Sequence, residues 1–281
     1  WETPLGSRQS RGSHIRNLLE SLREDENIVS ILPVSRELLE EPDHHYLLFA
    51  TRLGLIKKTA LSEYVRINRN GKYALRFKKD GDSLVNVRSA TDDHDIVMIS
   101  TTGYASRFSC GAIRASGRVS GGVYGIKVSD RKGSGGGFVA GMVAMLSADE
   151  HILTISKYGM AKRSRLGTAQ KMQDTDAAGN PKFEADGSPK MATDGYRRTK
   201  PGAKGVRTMK LDEEHEDSII SVRTIPDIQD HLFLLTKSGM MIRIRVSQTK
   251  ETSGKATRGT RVMELRNKQK GGFIDEIIFS S

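Results

Sequence analysis

One pattern constrains this chain more than any other. Residues 46–54, 95–103, 151–159 and 231–239 align without gaps around a final glycine. In each, an apolar run precedes a polar pair or triplet and then the glycine, as in Asp95-Ile-Val-Met-Ile-Ser-Thr-Thr-Gly103. A short apolar run bounded by turn residues is a strand buried on both faces, and glycine supplies the positive φ of a tight hairpin. Four residues beyond each glycine stands a base: Lys58, Arg107, Arg163 and Arg243. In Met240-Met-Ile-Arg-Ile-Arg-Val246 apolar and basic residues alternate, so Arg243 and Arg245 share one face of a strand, as do Arg163 and Arg165 one unit earlier. The expectation is a hairpin whose second strand is wet and positive on one side.

Two further elements recur. A Gly/Ser/Lys/Arg-rich turn leads into a short strand at residues 7–16, 65–79, 113–128, 195–210 and 250–262. Another apolar segment closes each unit, at 28–32, 84–87, 138–146, 219–222 and 273–279. The hairpin glycines are spaced by 49, 56 and 80 residues. Four β-elements per unit predict a blade, and an array of such blades closes into a disk. We therefore expect one all-β domain over residues 1–281, with about five blades. They are a partial blade at 1–34 and full blades at roughly 45–90, 95–148, 151–225 and 231–281. Residues 171–194 are polar, without hydrophobic period, and echo themselves in Gly179-Asn-Pro-Lys182 and Gly187-Ser-Pro-Lys190, which predicts a surface insertion. Residues 36–43 predict a one-turn helix or a polar link between blades.

Charge follows the same repeat. The chain carries 45 Lys+Arg against 34 Asp+Glu, a formal net charge of +11. The five glycine-rich segments are a quarter of the 281 residues, yet they hold 22 of the 45 bases and a single acid, Glu251. Acids gather before the closing strand instead, at residues 24–26, at Asp80 and Asp82, and across 212–217. A positive edge and a negative edge are expected. Solubility alone does not require the same sign at the same place in every unit. Arg and Lys beside Gly and Ser backbone N–H groups suit phosphate contacts, which position a nucleic acid without reading its sequence. Aromatics make up 6% of the chain and are not interleaved with the bases, so duplex binding fits better than stacking on single strands. Non-specific duplex binding is worth roughly 5.5–8 kcal/mol, and bending 20–30 bp by 40–90° costs on the order of 1–6 kcal/mol. One turn could hardly do both, whereas several around a circumference could. The candidate DNA-binding residues are Arg8, Arg11, Arg66, Arg69, Lys72, Arg114, Arg118, Lys200, Lys204, Lys255 and Arg258 from the turns. From the hairpin strands come Lys58, Arg107, Arg163, Arg165, Arg243 and Arg245.

Other chemistries find little support. No stretch approaches the ~18–20 apolar residues of a membrane helix, so no membrane partner is expected. A lone cysteine, Cys110, excludes an internal disulfide and argues against a cysteine zinc site, with a reducing cytoplasm the simplest compartment. Gly133-Ser-Gly-Gly-Gly137 lacks the strand-loop-helix setting and the Gly-Lys-Ser/Thr of a phosphate loop. The pair His44-His45 and His94, His151 and His231 include four histidines at the starts of repeated strands, equivalent positions that blade geometry sets far apart, so no metal is expected. Tyr64, Tyr104, Tyr124 and Tyr158 vary in repeat position, as packing residues do. No nucleophile–base pair stands out. The opening Trp1-Glu2-Thr3-Pro4, without an initiator Met or signal peptide, suggests a piece of a larger protein.

Several segments in this order resemble the C-terminal DNA-wrapping domain of gyrase A, the DNA-cleaving half of DNA gyrase, a domain built as a β-pinwheel. They are Ala60-Leu-Ser-Glu-Tyr64 with Gly71-Lys-Tyr-Ala-Leu75, Arg114-Ala-Ser-Gly117 with Gly125-Ile-Lys-Val128, and Thr257-Arg-Gly-Thr260. Arg11-Gly12 leading to Asn17-Leu-Leu19 and then residues 28–34 fits too, and the likeness spans nearly the whole chain outside 171–194. The resemblance implies a duplex wrapped around a basic perimeter, supplying the handed wrap for negative supercoiling. Its implied partners are double-stranded DNA, the gyrase B subunit, plus the rest of the gyrase A subunit, in a bacterial-type cytoplasm at the nucleoid. ATP, Mg and the cleaving tyrosine would act in other domains, leaving no cofactor and no catalysis here. The family's wrapping heptapeptide, Gln-Arg-Arg-Gly-Gly-Lys-Gly, is absent, and its blade would fall ahead of Trp1. The corresponding domain of topoisomerase IV lacks that box as well and stands as an alternative. A propeller that docks an acidic protein on its basic rim is another.

Overall fold

The computed structural model describes residues 10–280 apart from 13, 18, 20, 21, 24, 67–70, 129–136, 177, 253–255 and 266–273. In chain order the strands are β1 (Tyr46–Thr51), β2 (Leu55–Ala60), β3 (Leu84–Ala90), β4 (Asp95–Ser100), β5 (Tyr104–Ser109) and β6 (Val123–Tyr124). Next come β7 (Val139–Met145), β8 (His151–Ser156), β9 (Met160–Arg165), β10 (Lys171–Gln173), β11 (Met191–Thr193) and β12 (Val206–Arg207). The last are β13 (Ile219–Ile225), β14 (His231–Thr236), β15 (Met241–Arg245), β16 (Thr260–Arg261) and β17 (Ile274–Ser280). One short helix, α1 (Arg36–Glu40), forms where a one-turn helix or link was expected, with Ser35 at its N-cap.

The four glycine hairpins form as predicted, and a detail of the polar residues explains why. Thr51, Ser100, Ser156 and Thr236 each stand three residues before the glycine. Their hydroxyls accept the N–H of the residue after it, Leu55 (3.2 Å), Tyr104 (3.1 Å), Met160 (3.3 Å) and Met240 (3.0 Å). The turn is thus closed by side chain and backbone together, with φ between 81° and 93° at the four glycines.

Each hairpin is the centre of an antiparallel sheet. The strand orders are β3-β1-β2-β6, β12-β5-β4-β7, β13-β8-β9-β16 and β15-β14-β17. This corrects the expectation that four consecutive elements make one blade. The hairpin and the closing strand come from one unit, but the fourth strand is lent by the next: β6 reaches back to β2, β12 to β5 and β16 to β9. The glycine before each lent strand makes this approach possible. A Cβ on Gly122, Gly205 or Gly259 would lie 2.4, 2.1 or 2.3 Å from the carbonyl oxygen of Ile56, Ala105 or Ala161.

The same exchange bears on a failed expectation. Residues 28–32 form no strand, and Ile31 is 84% exposed. Residues 71–79 form none either, and Tyr73 is 86% exposed. By the exchange rule both would flank one hairpin of an earlier unit, and residues 1–45 contain no apolar run ending in such a glycine. Among the described residues neither flank joins a ladder.

The sheets stack face to face in chain order, with a core at each junction. Leu48 and Ile56 of the first sheet meet Ile96, Met98, Phe108 and Met142 of the second. Val97, Ile99 and Val143, on the opposite face of the second sheet, meet Ile152, Ile219 and Val222 of the third. Leu153 and Ile155 meet Leu232, Leu234 and Ile274 of the fourth. Successive residues of β4 and β8 therefore serve two different cores, which is why their apolar runs are unbroken; each fully buried side chain is worth about 1.5–3 kcal/mol. In β14 burial alternates instead, because the fourth sheet has a neighbour on one face only among the described residues.

Candidate nucleic-acid interface

The base four residues after the hairpin glycine is not wet in the first three sheets. Lys58 is 3% exposed; its ammonium pairs with Asp92 and donates to the Cys110 carbonyl (3.3 Å). Arg107 is 2% exposed and pairs with the buried Asp95, and its Nη1 donates to the carbonyls of Leu166, Gly167 and Tyr196, each at 2.9 Å. Arg163 is largely buried too, with Nε on the Thr249 carbonyl (3.3 Å) and Nη1 3.9 Å from Glu251. Apart from Asp95, which lies on the strand beside Arg107, every one of these acceptors belongs to the following unit. The repeated base is a latch between neighbouring sheets, and Lys58 and Arg107 are removed from the candidate DNA-contacting residues because their charge is already spent inside the protein. Arg163 serves the same structural role.

One residue earlier lies a second internal cation. Lys57 and Lys162 are fully buried, and their ammoniums donate to backbone carbonyls, Lys57 to Ala74 and Arg118, Lys162 to Thr208. Burial pulls each pKa down to about 8. The nearby Glu63 works against that fall for Lys57. Through Arg118, Lys57 ties the exchanged segment to the hairpin strand it covers, whereas Lys162 holds Thr208, next to the strand that its own unit lends to β5.

The remaining candidates reach solvent in different degrees. Arg11, Arg66, Arg114, Lys200, Lys204 and Arg258 are exposed on the glycine-rich segments, which in three units carry the exchanged strands. Arg243 and Arg245 are exposed on β15, alternating with half-buried Ile242 and Ile244, as the sequence predicted for a wet strand. Lys72 and Arg118 are partly buried and both donate to the Glu63 carbonyl (3.1 Å each). Arg165 is half-exposed between Asp149 (3.3 Å) and Asp194 (3.2 Å). Arg8, Arg69 and Lys255 lie outside the described residues. The same segments expose bases that were not singled out: Lys78, Lys79, Lys127, Arg207, Lys210 and Arg261. Arg207 and Arg261 each stand two residues after the glycine that admits the lent strand, a spacing visible in the sequence once the exchange is known. Beside the first sheet, Lys78, Arg114, Ser116, Gly117 and Ser120 line a groove of about 620 Å³, floored by Lys57 and Lys58. Bases, hydroxyls and glycine N–H groups on one concave wall form a surface suited to a phosphate chain.

A family model described as "DNA gyrase C-terminal domain, beta-propeller" matches residues 4–35, 45–91, 94–134, 190–226 and 230–271, well over half of the chain. The chain belongs to this family. The gyrase A protein of Staphylococcus epidermidis is 32% identical over 270 residues, 96% of this chain and 26% of that protein. That of Deinococcus deserti is 32% identical over 267 residues, 94% of this chain and 28% of that protein. The chain thus spans about a quarter of the length of the curated relatives it matches. Among solved structures, the C-terminal domain of DNA topoisomerase IV superposes with a TM-score of 0.71 at 21% identity, covering 95% of this chain and 70% of that one. The DNA gyrase A C-terminal domain gives 0.66 at 19%, covering 96% and 75%. At these identities the structures speak for the fold alone.

Within this gyrase-type domain the clustered acids have structural duties. Asp82 accepts the Leu53 N–H (2.9 Å) and Asp217 the Tyr158 N–H (3.2 Å), each capping the hairpin turn of its own unit. Asp212, Glu214 and His215 each place one ligand-type atom within 4.8 Å of the others, and the His215 imidazole is engaged by Asp212 (2.9 Å). Cys110 is buried in the first core, and burial pushes its thiol up to about 11, so it packs rather than reacts. Among the described residues no helix is long and apolar enough to cross a membrane.

Proposed function

We propose that this chain binds duplex DNA without sequence preference and bends it along the exposed bases of the glycine-rich segments. It would thereby supply the chiral wrap on which a type II topoisomerase of the gyrase kind depends. The observation that carries this reading is the recurrence of exposed Arg and Lys on those segments in successive units: Arg66, Arg114, Lys200, Lys204, Arg207, Arg258 and Arg261. The latches support it indirectly, because they hold neighbouring sheets at fixed spacing, so contacts on separate sheets follow one path. The likeness of sequence to gyrase A proteins along the whole chain favours gyrase over topoisomerase IV. On this reading the protein partners are the B subunit of gyrase together with the rest of gyrase A. ATP-driven strand passage belongs to them, and this chain contributes binding rather than chemistry.

Duplex affinity measured against salt and length tests the proposal. With six or more phosphates neutralised, log K falls with log salt at a slope of about −5 or steeper, and affinity rises until the duplex spans several sheets. Relaxed circular DNA religated in the presence of the protein should emerge with altered linking number. A slope near zero, or affinity indifferent to duplex length, would instead favour an acidic protein docked at one place on the rim.

A further inference from the structure

In three units the second hairpin strand passes to the glycine-rich segment through a single 3-10 turn, Leu61–Tyr64, Cys110–Ala112 or Val246–Gln248. After β9 the chain builds an arm instead. Its feet are pinned. Ala169 N–H donates to the Asp194 carbonyl (3.0 Å) and Asp194 N–H to the Gln170 carbonyl (2.9 Å), while the Asp194 carboxylate accepts from Thr168 N–H (2.8 Å) and the Arg165 guanidinium (3.2 Å). Above the feet β10 pairs with β11, and the backbone then closes on itself. Asp174 N–H donates to the Lys190 carbonyl (2.6 Å), Lys182 N–H to that of Asp174 (2.7 Å) and Lys190 N–H to that of Lys182 (2.9 Å). Apart from Asp174, the described residues from 171 to 191 are exposed or nearly so. The arm stands out from the domain.

Place and sign make the arm informative. Its root sits where the second and third sheets meet, since Arg107 of β5 bonds the carbonyls of Leu166, Gly167 and Tyr196 on either side of it. Directly after it the chain runs through Arg197, Arg198, Lys200, Lys204, Arg207 and Lys210. The five basic segments carry one acid between them, whereas residues 170–194 carry five acids against three lysines, a net charge of −2. Lys182 is paired with Asp174 (3.6 Å), and Lys190 lies 4.0 Å from Glu184. At the turns the carboxylates are held ionised. Asp176 accepts from Asn180 and Ala178 N–H groups (2.9 Å each), and Asp186 from the Ser188 hydroxyl (2.6 Å) and N–H (2.9 Å). These bonds set both carboxyls below the usual range. A polyanion following the rim meets a projecting element of its own sign.

We propose that this arm is an electrostatic fence: it turns duplex DNA off the rim at the junction of the second and third sheets and so limits the length bound. The inference rests on the duplex-binding reading above and adds a boundary to it. Because screening confines the repulsion to about 8–10 Å, the fence acts on the duplex segment beside it and not on the whole path.

The test compares the whole chain with a triple variant, D176N/E184Q/D186N, whose amides keep an acceptor oxygen for the turns and take the arm from −2 to +1. Random-sequence duplexes of increasing length serve as probe, read by affinity at low salt and by hydroxyl-radical footprint. We expect binding about two- to fivefold tighter and a longer protected stretch on long duplexes. A second variant replacing residues 171–193 with two glycines should move both readouts the same way. Unchanged or weaker binding in the triple variant overturns the fence, and a drop on deletion would make the arm a DNA grip instead. If the unmodified chain shows no salt-dependent duplex binding, the underlying reading fails, a result distinct from failure of the fence alone.

Discussion

Arg107 and Arg243 occupy the same position in the repeat, four residues beyond the hairpin glycine, and lead opposite lives. Arg107 is buried in the second sheet, its charge balanced by Asp95 and its remaining donors taken by three carbonyls of the following unit. Arg243 stands exposed on β15, the outer strand of a sheet that has three strands rather than four. What differs is the neighbour. Where a following unit folds back over the hairpin, the base becomes a latch; where none of the described residues does so, the base is exposed, its guanidinium 5.5 Å from the Phe233 ring centre. A repeat position sets which residue type is present, and the adjacent sheet sets what that residue is for.

The contrast is sharpest in stability. Arg107→Met leaves three carbonyls without their donor and leaves the buried Asp95 with the exposed Arg198 (2.9 Å) as its remaining countercharge. It should cost about 3–5 kcal/mol in denaturant unfolding, with part of the loss recovered when Asp95→Asn is added. A loss under about 1 kcal/mol would mean that the latch holds nothing. A smaller effect separates seated from unseated glycines. Gly205→Ala drives a Cβ into the Ala105 carbonyl oxygen and should cost about 2 kcal/mol or more. Gly71→Ala, with φ at 71° but nothing within 4 Å, should cost only the left-handed strain of about 1 kcal/mol. Equal losses in thermal unfolding would remove the exchanged strand from the explanation. Least of all, Arg243→Met should change stability by under about 0.5 kcal/mol while lowering duplex affinity severalfold at low salt. A large stability loss there would show that Arg243 is already latched.

Much of the architecture could be read without coordinates, because it rests on local chemistry repeated four times. The apolar runs and their glycines located every central hairpin, and the echoing polar stretch at 171–194 located the arm. The exchange of the fourth strand could not be read this way. Val123 and Tyr124 follow their own unit's hairpin in sequence, and only the register Leu55 to Tyr124 assigns them to the sheet before. From that one fact follows the seating of Gly122, Gly205 and Gly259. The rim residues divide likewise. Arg114, Lys204 and Arg258 lie exposed on glycine-rich segments as expected, whereas the repeat of a base on the second hairpin strand suggested a wet face where Lys58, Arg107 and Arg163 are covered. Alternation says which side chains share a face, not whether another sheet covers it.

By itself, then, the sequence determined an all-β chain of repeated glycine hairpins with its positive charge gathered in the segments between them. Hydrophobic periodicity and turn chemistry are short-range and need no knowledge of neighbours. Tertiary structure alone decided which cations are spent inside and which remain outside. Desolvating a charge is tolerable only where carboxylates and carbonyls from another part of the chain arrive to meet it, and that arrival is a property of how the sheets stack.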